Sequence, residues 1–194
     1  NSGVVPSPEW KRKRTKENWY PGETVIAGIG QGYWIATTLQ LARGTAAIAN
    51  GGHLVRPHLA AARRDGYDTP WMAVPQPVAP MITDNPANLR AVQEGMMGTM
   101  QPGGTGFSLV RGAPYLMAGK TGTAQKVSRR GGASVDPHQL PFHLRHQALF
   151  VGYAPADNPR IAEAVMVEHG GFGASTAGPI ARKIFDAYLL GTMP

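Results

Sequence analysis

Apolar positions recur at helical spacing in three stretches of the chain and form near-continuous runs in three others. From Thr38 to Asn50, Leu41, Thr45 and Ile48 share one stripe, while Ala42, Gly44, Ala46, Ala47 and Ala49 keep the other faces slim. That pattern predicts a scaffold helix packed close against a neighbour, capped by Thr37 or Thr38 and stopped at Asn50-Gly51-Gly52. A second helix begins where Asn85 caps and Pro86 takes the first helical position. Leu89, Val92, Met96, Met97 and Met100 recur along it as core positions rather than a cofactor box. Tyr115-Leu116-Met117 opens an apolar strand that runs through Ala118-Gly119-Lys120-Thr121-Gly122-Thr123-Ala124-Gln125 and on into Lys126-Val127. Gln147–Ala154 and Arg160–Glu168 read as a hairpin of two central strands about a Pro155–Pro159 turn. A closing helix spans Thr176 to Leu190, with Ser175 or Thr176 as cap and Ile180, Ile184, Ala187 and Tyr188 as its buried stripe. Helices, then strands, then a final helix predict an α+β fold in which helices flank an antiparallel sheet.

The connections read as follows. Residues 1–24, broken by Pro6, Pro8 and Pro21, are expected to be irregular. Ala27–Trp34 is a glycine-rich turn, His53–Leu59 is extended, and residues 63–82 form a surface excursion rich in proline and charge. The polar stretch from Ser128 to His146 is expected to be a long loop overhanging whatever site the preceding strand lines.

Composition narrows the functional classes. A chain of 194 residues makes one domain or most of one, and no run approaches the ~20 apolar residues of a membrane span. Neither a signal peptide nor an anchor is visible at Asn1–Pro6, and the missing initiator methionine suggests a segment of something longer. Without cysteine, this segment has no disulfide, thiolate metal site or cysteine nucleophile. A net charge of +7 favours anionic partners, and Lys11-Arg12-Lys13-Arg14-Thr15-Lys16 concentrates it between Trp10 and Trp19-Tyr20. No second basic block or nucleic-acid motif accompanies the run, so it reads as a solvated loop with its aromatics tucked against the body, not a nucleic-acid contact. His53 and His58 would point to opposite faces of a strand, so no metal is expected there. His138, His143 and His146 read as solvated.

The chemistry concentrates in the strand through Lys120. Gly119-Lys120-Thr121 matches the end of a phosphate loop, but that motif needs a glycine at position 114, which is Pro114, and a helix after the lysine. Gly28-Ile29-Gly30-Gln31-Gly32-Tyr33 fails the dinucleotide fingerprint because its third glycine would fall on Tyr33. What remains is a strand that carries a cation, two hydroxyls and free backbone N–H groups along one sheet edge, equipment for holding a carboxylate and polarising a carbonyl. The competing view of Lys120 is an edge lysine that keeps the sheet from pairing with other chains.

Lys-Thr-Gly is an element of serine acyl-transfer enzymes, and the extended Ala118–Gln125 stretch resembles the third active-site motif of the penicillin-binding proteins. Gly28–Gly32 running into Thr37-Thr38-Leu39-Gln40-Leu41 is similar to that family's Gly-Gln-Gly element and following helix. Phe150-Val151-Gly152-Tyr153-Ala154-Pro155 resembles the strand beside the Lys-Thr-Gly strand. Pro8–Arg14, Trp19–Thr24 and Ile29–Trp34 together are similar to the monofunctional (class B), elongation-type branch, that of penicillin-binding protein 2. The likeness covers essentially the whole chain.

The resemblance implies a penicillin-binding, serine β-lactamase-like transpeptidase fold, present here as the C-terminal portion of a single D,D-transpeptidase domain over residues 1–194. It implies a peptidoglycan transpeptidase that is a β-lactam target, acts in cell elongation and shape, and works at the periplasmic face of the inner membrane without a cofactor. Its expected partners are stem peptides, β-lactams, and the elongation machinery's glycosyltransferase and scaffold proteins. Lys120 would place charge beside the nucleophile, and Thr121 and Thr123 would hold the donor carboxylate. Gly122 would leave room for substrate, and the Thr123 N–H would form half of an oxyanion hole. The chain contains no Ser-x-x-Lys and no Ser-x-Asn, so the nucleophile and anchor are expected upstream and these residues alone are expected to be inactive. Two alternatives stay open: a non-catalytic β-lactam sensor on the same sheet, and a basic nucleic-acid-binding domain.

Overall fold

The computed structural model describes residues 2–125 and 139–192. Its core is a three-stranded antiparallel sheet of β3 (Ala118–Ala124), β4 (Gln147–Ala154) and β5 (Ile161–Val167), in the order β3-β4-β5. Helices α3 (Thr38–Ala49) and α4 (Pro86–Gly98) cover one face, and α5 (Ala177–Leu190) covers the other. Period-two alternation sorts β4 between them. Ala148, Phe150 and Ala154 pack with Ala181 and Phe185 of α5, while Tyr153 packs with Met96 of α4 and Ile48 of α3. The predicted α+β architecture is as found, and the strand through Lys-Thr-Gly is present but starts at Ala118 rather than Tyr115.

The first 24 residues are not irregular. Pro8–Thr15 is helix α1 and Pro21–Gly28 is helix α2. Ser7 caps α1 by accepting the Trp10 N–H at 3.1 Å, and Pro8 sits at the helix start, where its missing N–H costs nothing. Glu9 lies in the first turn and Arg12, Lys13 and Arg14 in the last, so the charge run follows the helix dipole, and Lys16 closes the helix at φ 65°. In α2 the Glu23 carboxylate reaches back to the Tyr20 N–H at 2.7 Å.

Two other helix starts follow their sequence signals. Thr37 and Gln40 form a reciprocal capping box at α3, with bonds of 3.1 and 2.8 Å, and Asn85 accepts the Ala87 N–H at α4 at 3.0 Å. The 63–82 excursion is tied by the two-residue strands β1 (Ala62–Arg63) and β2 (Met72–Ala73) and by a single bridge from Met81 to His53.

Two expectations are corrected on the far side of the sheet. Among the described residues β5 is an edge strand, not a central one; its apolar run reflects cover on both faces, by α3 and α5. The buried face of α5 is Ala177, Gly178, Ala181 and Phe185, whereas Ile180, Ile184 and Tyr188 are 42%, 40% and 55% exposed. Close approach decides this. A β-carbon on Gly178 would come within 2.6 Å of Leu109, so small residues bring the helix down and Phe185 fills the remaining space. Thr176 takes the N-cap position but makes no side-chain cap bond; the hydroxyls of Ser175 and Thr176 donate to the carbonyls of Phe172 and Gly170.

A polar clamp fixes the segment that leads into β3. Arg182 donates to both carboxylate oxygens of Asp186 at 2.9 Å, and to the carbonyls of Leu109 and Arg111 at 2.7 and 3.0 Å. Tyr115 completes it with a 2.6 Å bond to Asp186. Burial pushes the Tyr115 phenol up, reinforced by that bond; burial also pushes the Asp186 carboxyl up, but its two donors outweigh this and hold it below the usual range. Arg182→Ala is expected to cost about 2 kcal/mol by removing the side-chain donor to two carbonyls and one of the two donors to the Asp186 carboxylate, read as a lower denaturant midpoint at unchanged m-value.

Candidate active site

β3 forms one edge of the sheet, paired with β4 in the register Lys120↔Val151, Thr121↔Phe150, Gly122↔Leu149 and Thr123↔Ala148. The strand enters buried at Ala118 and Gly119, then emerges with Lys120 exposed. Gly119 is required there. A β-carbon would meet the Phe150 ring at 2.7 Å and the Met100 methyl at 2.8 Å.

Alternate carbonyls along β3 are taken by side chains, two from outside the sheet and one from the strand itself. Thr99 donates to the Gly119 carbonyl at 2.5 Å, Lys120 Nζ to that of Thr121 at 2.7 Å, and Gln31 Nε2 to that of Thr123 at 2.8 Å. In an antiparallel strand the N–H and C=O of one residue point the same way. The Thr121 and Thr123 N–H groups therefore face the open edge together with these carbonyls. The edge thus offers donors to an incoming ligand, while each of its carbonyls already accepts a bond. An exposed ammonium stands among those donors.

The predicted site residues are brought together on this edge. The Thr121 hydroxyl donates to that of Thr105 at 3.0 Å, tying the strand to the turn after α4. At Gly122 a β-carbon would meet that of Leu149 at 3.1 Å, and the backbone of Gly173 lies over the same point of the ladder. Gln31, Thr99 and Thr105 join the edge beyond the residues the sequence predicts. Gln31 carried a signal in the Gly-Gln-Gly turn; nothing in sequence marks the two threonines.

The basic run is not a solvated loop either. Lys11 is 1% exposed, bound to Glu23 at 2.7 Å and Glu17 at 3.6 Å, with its ammonium 4.5 Å from the Tyr20 ring centre. Burial pulls the Lys11 ammonium down, but the Glu23 bond and charge outweigh it and leave it raised; the same bond holds the Glu23 carboxyl down. Arg12, Lys13, Arg14 and Lys16 remain exposed, and Trp10 packs on Tyr33 at 5.4 Å. The buried lysine staples α1 to α2 and to the glycine turn that carries Gln31.

Among the histidines, His53, His58 and His143 are exposed. His146 is buried at 6% exposure, contrary to expectation, because it leads into β4 and its carbonyl accepts the Gly171 N–H at 3.0 Å. His138, Lys126-Val127 and most of the expected overhanging loop lie outside the described residues. Among the described residues no three His, Cys, Asp or Glu side chains gather as a metal site, and no helix is long and apolar enough to cross a membrane.

Comparison with known proteins covers nearly the whole chain. Residues 2–186 match the penicillin binding protein transpeptidase domain. The chain is 37% identical over 193 residues to the peptidoglycan D,D-transpeptidase MrdA of Escherichia coli K12, covering 98% of this chain and 30% of that protein. It is 38% identical over 191 residues to MrdA of Haemophilus influenzae, covering 98% of this chain and 29% of that one. Among solved structures, it resembles Pseudomonas aeruginosa PBP2 in complex with WCK 5153 at TM-score 0.76 and 44% identity, covering 97% of this chain and 38% of that one. Helicobacter pylori PBP2 in complex with MreC follows at TM-score 0.75 and 30% identity, covering 98% and 32%. The chain therefore spans about three-tenths of the length of the curated relatives it matches.

Proposed function

The chain belongs to the penicillin-binding protein transpeptidase family, and from that premise we propose that it is the Lys-Thr-Gly-bearing part of an elongation-type peptidoglycan D,D-transpeptidase. One observation carries the reading. Lys120, Thr121 and Thr123 share a single free edge whose N–H groups point outward while its carbonyls are already bonded. Such an edge presents N–H donors to the oxygens of an incoming acyl group.

In the reaction, a serine supplied from outside these 194 residues attacks the carbonyl of the donor peptide's penultimate D-alanine. Its proton passes to the departing amine, the C–N bond breaks and D-alanine leaves. The amine of a neighbouring stem peptide then attacks the ester and returns the serine. Lys120 supplies positive charge beside the nucleophile, the Thr123 hydroxyl and that of Thr121, turned from Thr105, hold the terminal carboxylate, Gly122 keeps the strand surface low, and the Thr123 N–H is one of two oxyanion donors. A β-lactam occupies the same place and stalls at the ester. The reading puts the protein at the periplasmic face of the inner membrane beside a glycan-polymerising enzyme and scaffold proteins; the Helicobacter pylori complex of PBP2 with MreC supports a partner protein for an enzyme of this type.

Fluorescent penicillin tests this on the full-length protein, followed by a denaturing gel. The full-length protein is expected to carry covalent label and the 194-residue chain to carry none. A full-length protein that stays dark would remove the transpeptidase reading.

A further inference from the structure

We propose that Gln31 is a positioning residue for the acyl-transfer edge. Its Nε2 holds the Thr123 carbonyl at 2.8 Å across 92 positions of sequence; that bond anchors the Thr123–Ala124 peptide, and through the backbone torsions of Thr123 it limits how far the adjoining Thr123 N–H can turn from the open edge. The inference rests on the transpeptidase reading above.

Two features make the bond more than an incidental surface contact. Thr123 is the penultimate residue of an edge strand that ends at Ala124, and strand ends open most readily. Without a third strand on that side, Gln31 takes the place of a neighbour for the one carbonyl next to the proposed oxyanion donor. Gln31 is itself held rigidly. It stands between Gly30 at φ +74° and Gly32 at φ +79°, left-handed positions that favour glycine. Its own N–H donates to Ile26 at 3.1 Å, the Gly30 N–H to Ala27 at 3.0 Å, and the Trp34 indole to the same Ala27 carbonyl at 2.9 Å. These bonds tie the turn to the C-terminal end of α2, which the buried Lys11–Glu23 pair fixes to α1. A path of hydrogen bonds thus runs from the stapled N-terminal helices to the reacting edge.

Gln93 provides an internal control. Its Nε2 makes the same kind of bond, 2.7 Å to the Ile48 carbonyl, but that bond joins α4 to α3 and not to β3. The experiment measures acylation of the full-length protein by fluorescent penicillin over a range of concentrations, separating the limiting rate from the non-covalent affinity. Gln31→Ala is expected to slow the limiting rate about 10- to 100-fold, as a small misplacement of a reacting group does, with affinity changed much less. Gln31→Glu, which puts an acceptor where the donor was, should be at least as slow. Gln93→Ala should lose similar thermal stability and keep the wild-type rate.

A Gln31→Ala protein that acylates at the wild-type rate or faster overturns the inference, and so does a Gln93→Ala protein that slows to the same extent. Failure of the wild type to label overturns the transpeptidase reading and this inference with it; a labelled wild type beside an unaffected Gln31→Ala overturns the inference alone.

Discussion

Lys120→Ala is expected to slow acylation of the full-length protein by penicillin by about 10²–10³-fold or more, the scale on which removing one electrostatic stabiliser acts in acyl transfer. The melting temperature should barely move. Lys120 is exposed, and the hydrogen bond its ammonium makes goes to the carbonyl of Thr121, the next residue in its own strand. Its removal leaves no buried charge unpaired and opens no cavity, and substitutions of that kind fall within about 0.5 kcal/mol. The same charge matters far more once substrate and the rest of the domain exclude water, because attraction strengthens as the local dielectric falls. Stopped-flow labelling beside a thermal melt separates the two. Unchanged acylation in Lys120→Ala would reduce the lysine to a guard on an exposed sheet edge. Lys120→Arg is a sharper probe, since it keeps the charge but replaces a compact ammonium with a broad planar fork. Partial recovery would point to charge, and none to the position of a single nitrogen.

The strand that carries Lys120 was legible in sequence because its cues agree: an apolar entry, no helix-forming run after the lysine, and an apolar hairpin to pair with. Helix α1 was missed although its cues were present. Proline reads as a breaker, yet Pro8 directly after the capping Ser7 is a helix start. The buried face of α5 was misread for a different reason. Hydrophobicity favours Ile180 and Ile184, but the depth to which the helix sinks onto the sheet is set by Ala177, Gly178 and Ala181, and that depth is a tertiary quantity. Lys11 shows the same limit: one lysine in a run of five basic residues is buried because Glu23 and Tyr20 come to it from the next helix. The site divides likewise. Lys120, Thr121, Gly122 and Thr123 are contiguous and could be read together, while Thr99, Thr105 and Gln31 reach them only through folding.

Glu163 leads to the second large effect, a loss of stability as pH rises from about 5 to about 8 that Glu163→Gln should largely remove. The residue lies on β5 opposite Gly152, and Ile161 and Val165, two positions to either side, pack into the core beneath α5. Alternation along the strand turns the Glu163 side chain toward that same core. It is 8% exposed, and neither carboxylate oxygen has a hydrogen-bond partner among the described residues. Burial pushes the carboxyl from its ordinary 4.5 up to about 8. Between those values the folded protein keeps a proton that the unfolded chain has released, so unfolding sheds a proton and each step up in pH favours the unfolded state. At about 1.4 kcal/mol for each pH step, the loss across the window is on the order of 4 kcal/mol, a large share of a domain's net stability. Below the window wild type and Glu163→Gln should unfold alike, since both then bury an uncharged polar group of the same shape; above it the variant should be the more stable. Urea unfolding at a series of pH values checks this directly. A flat wild-type profile with a destabilised variant would mean that the carboxylate is ionised and paired with a donor from outside the described residues, reversing the sign of the substitution.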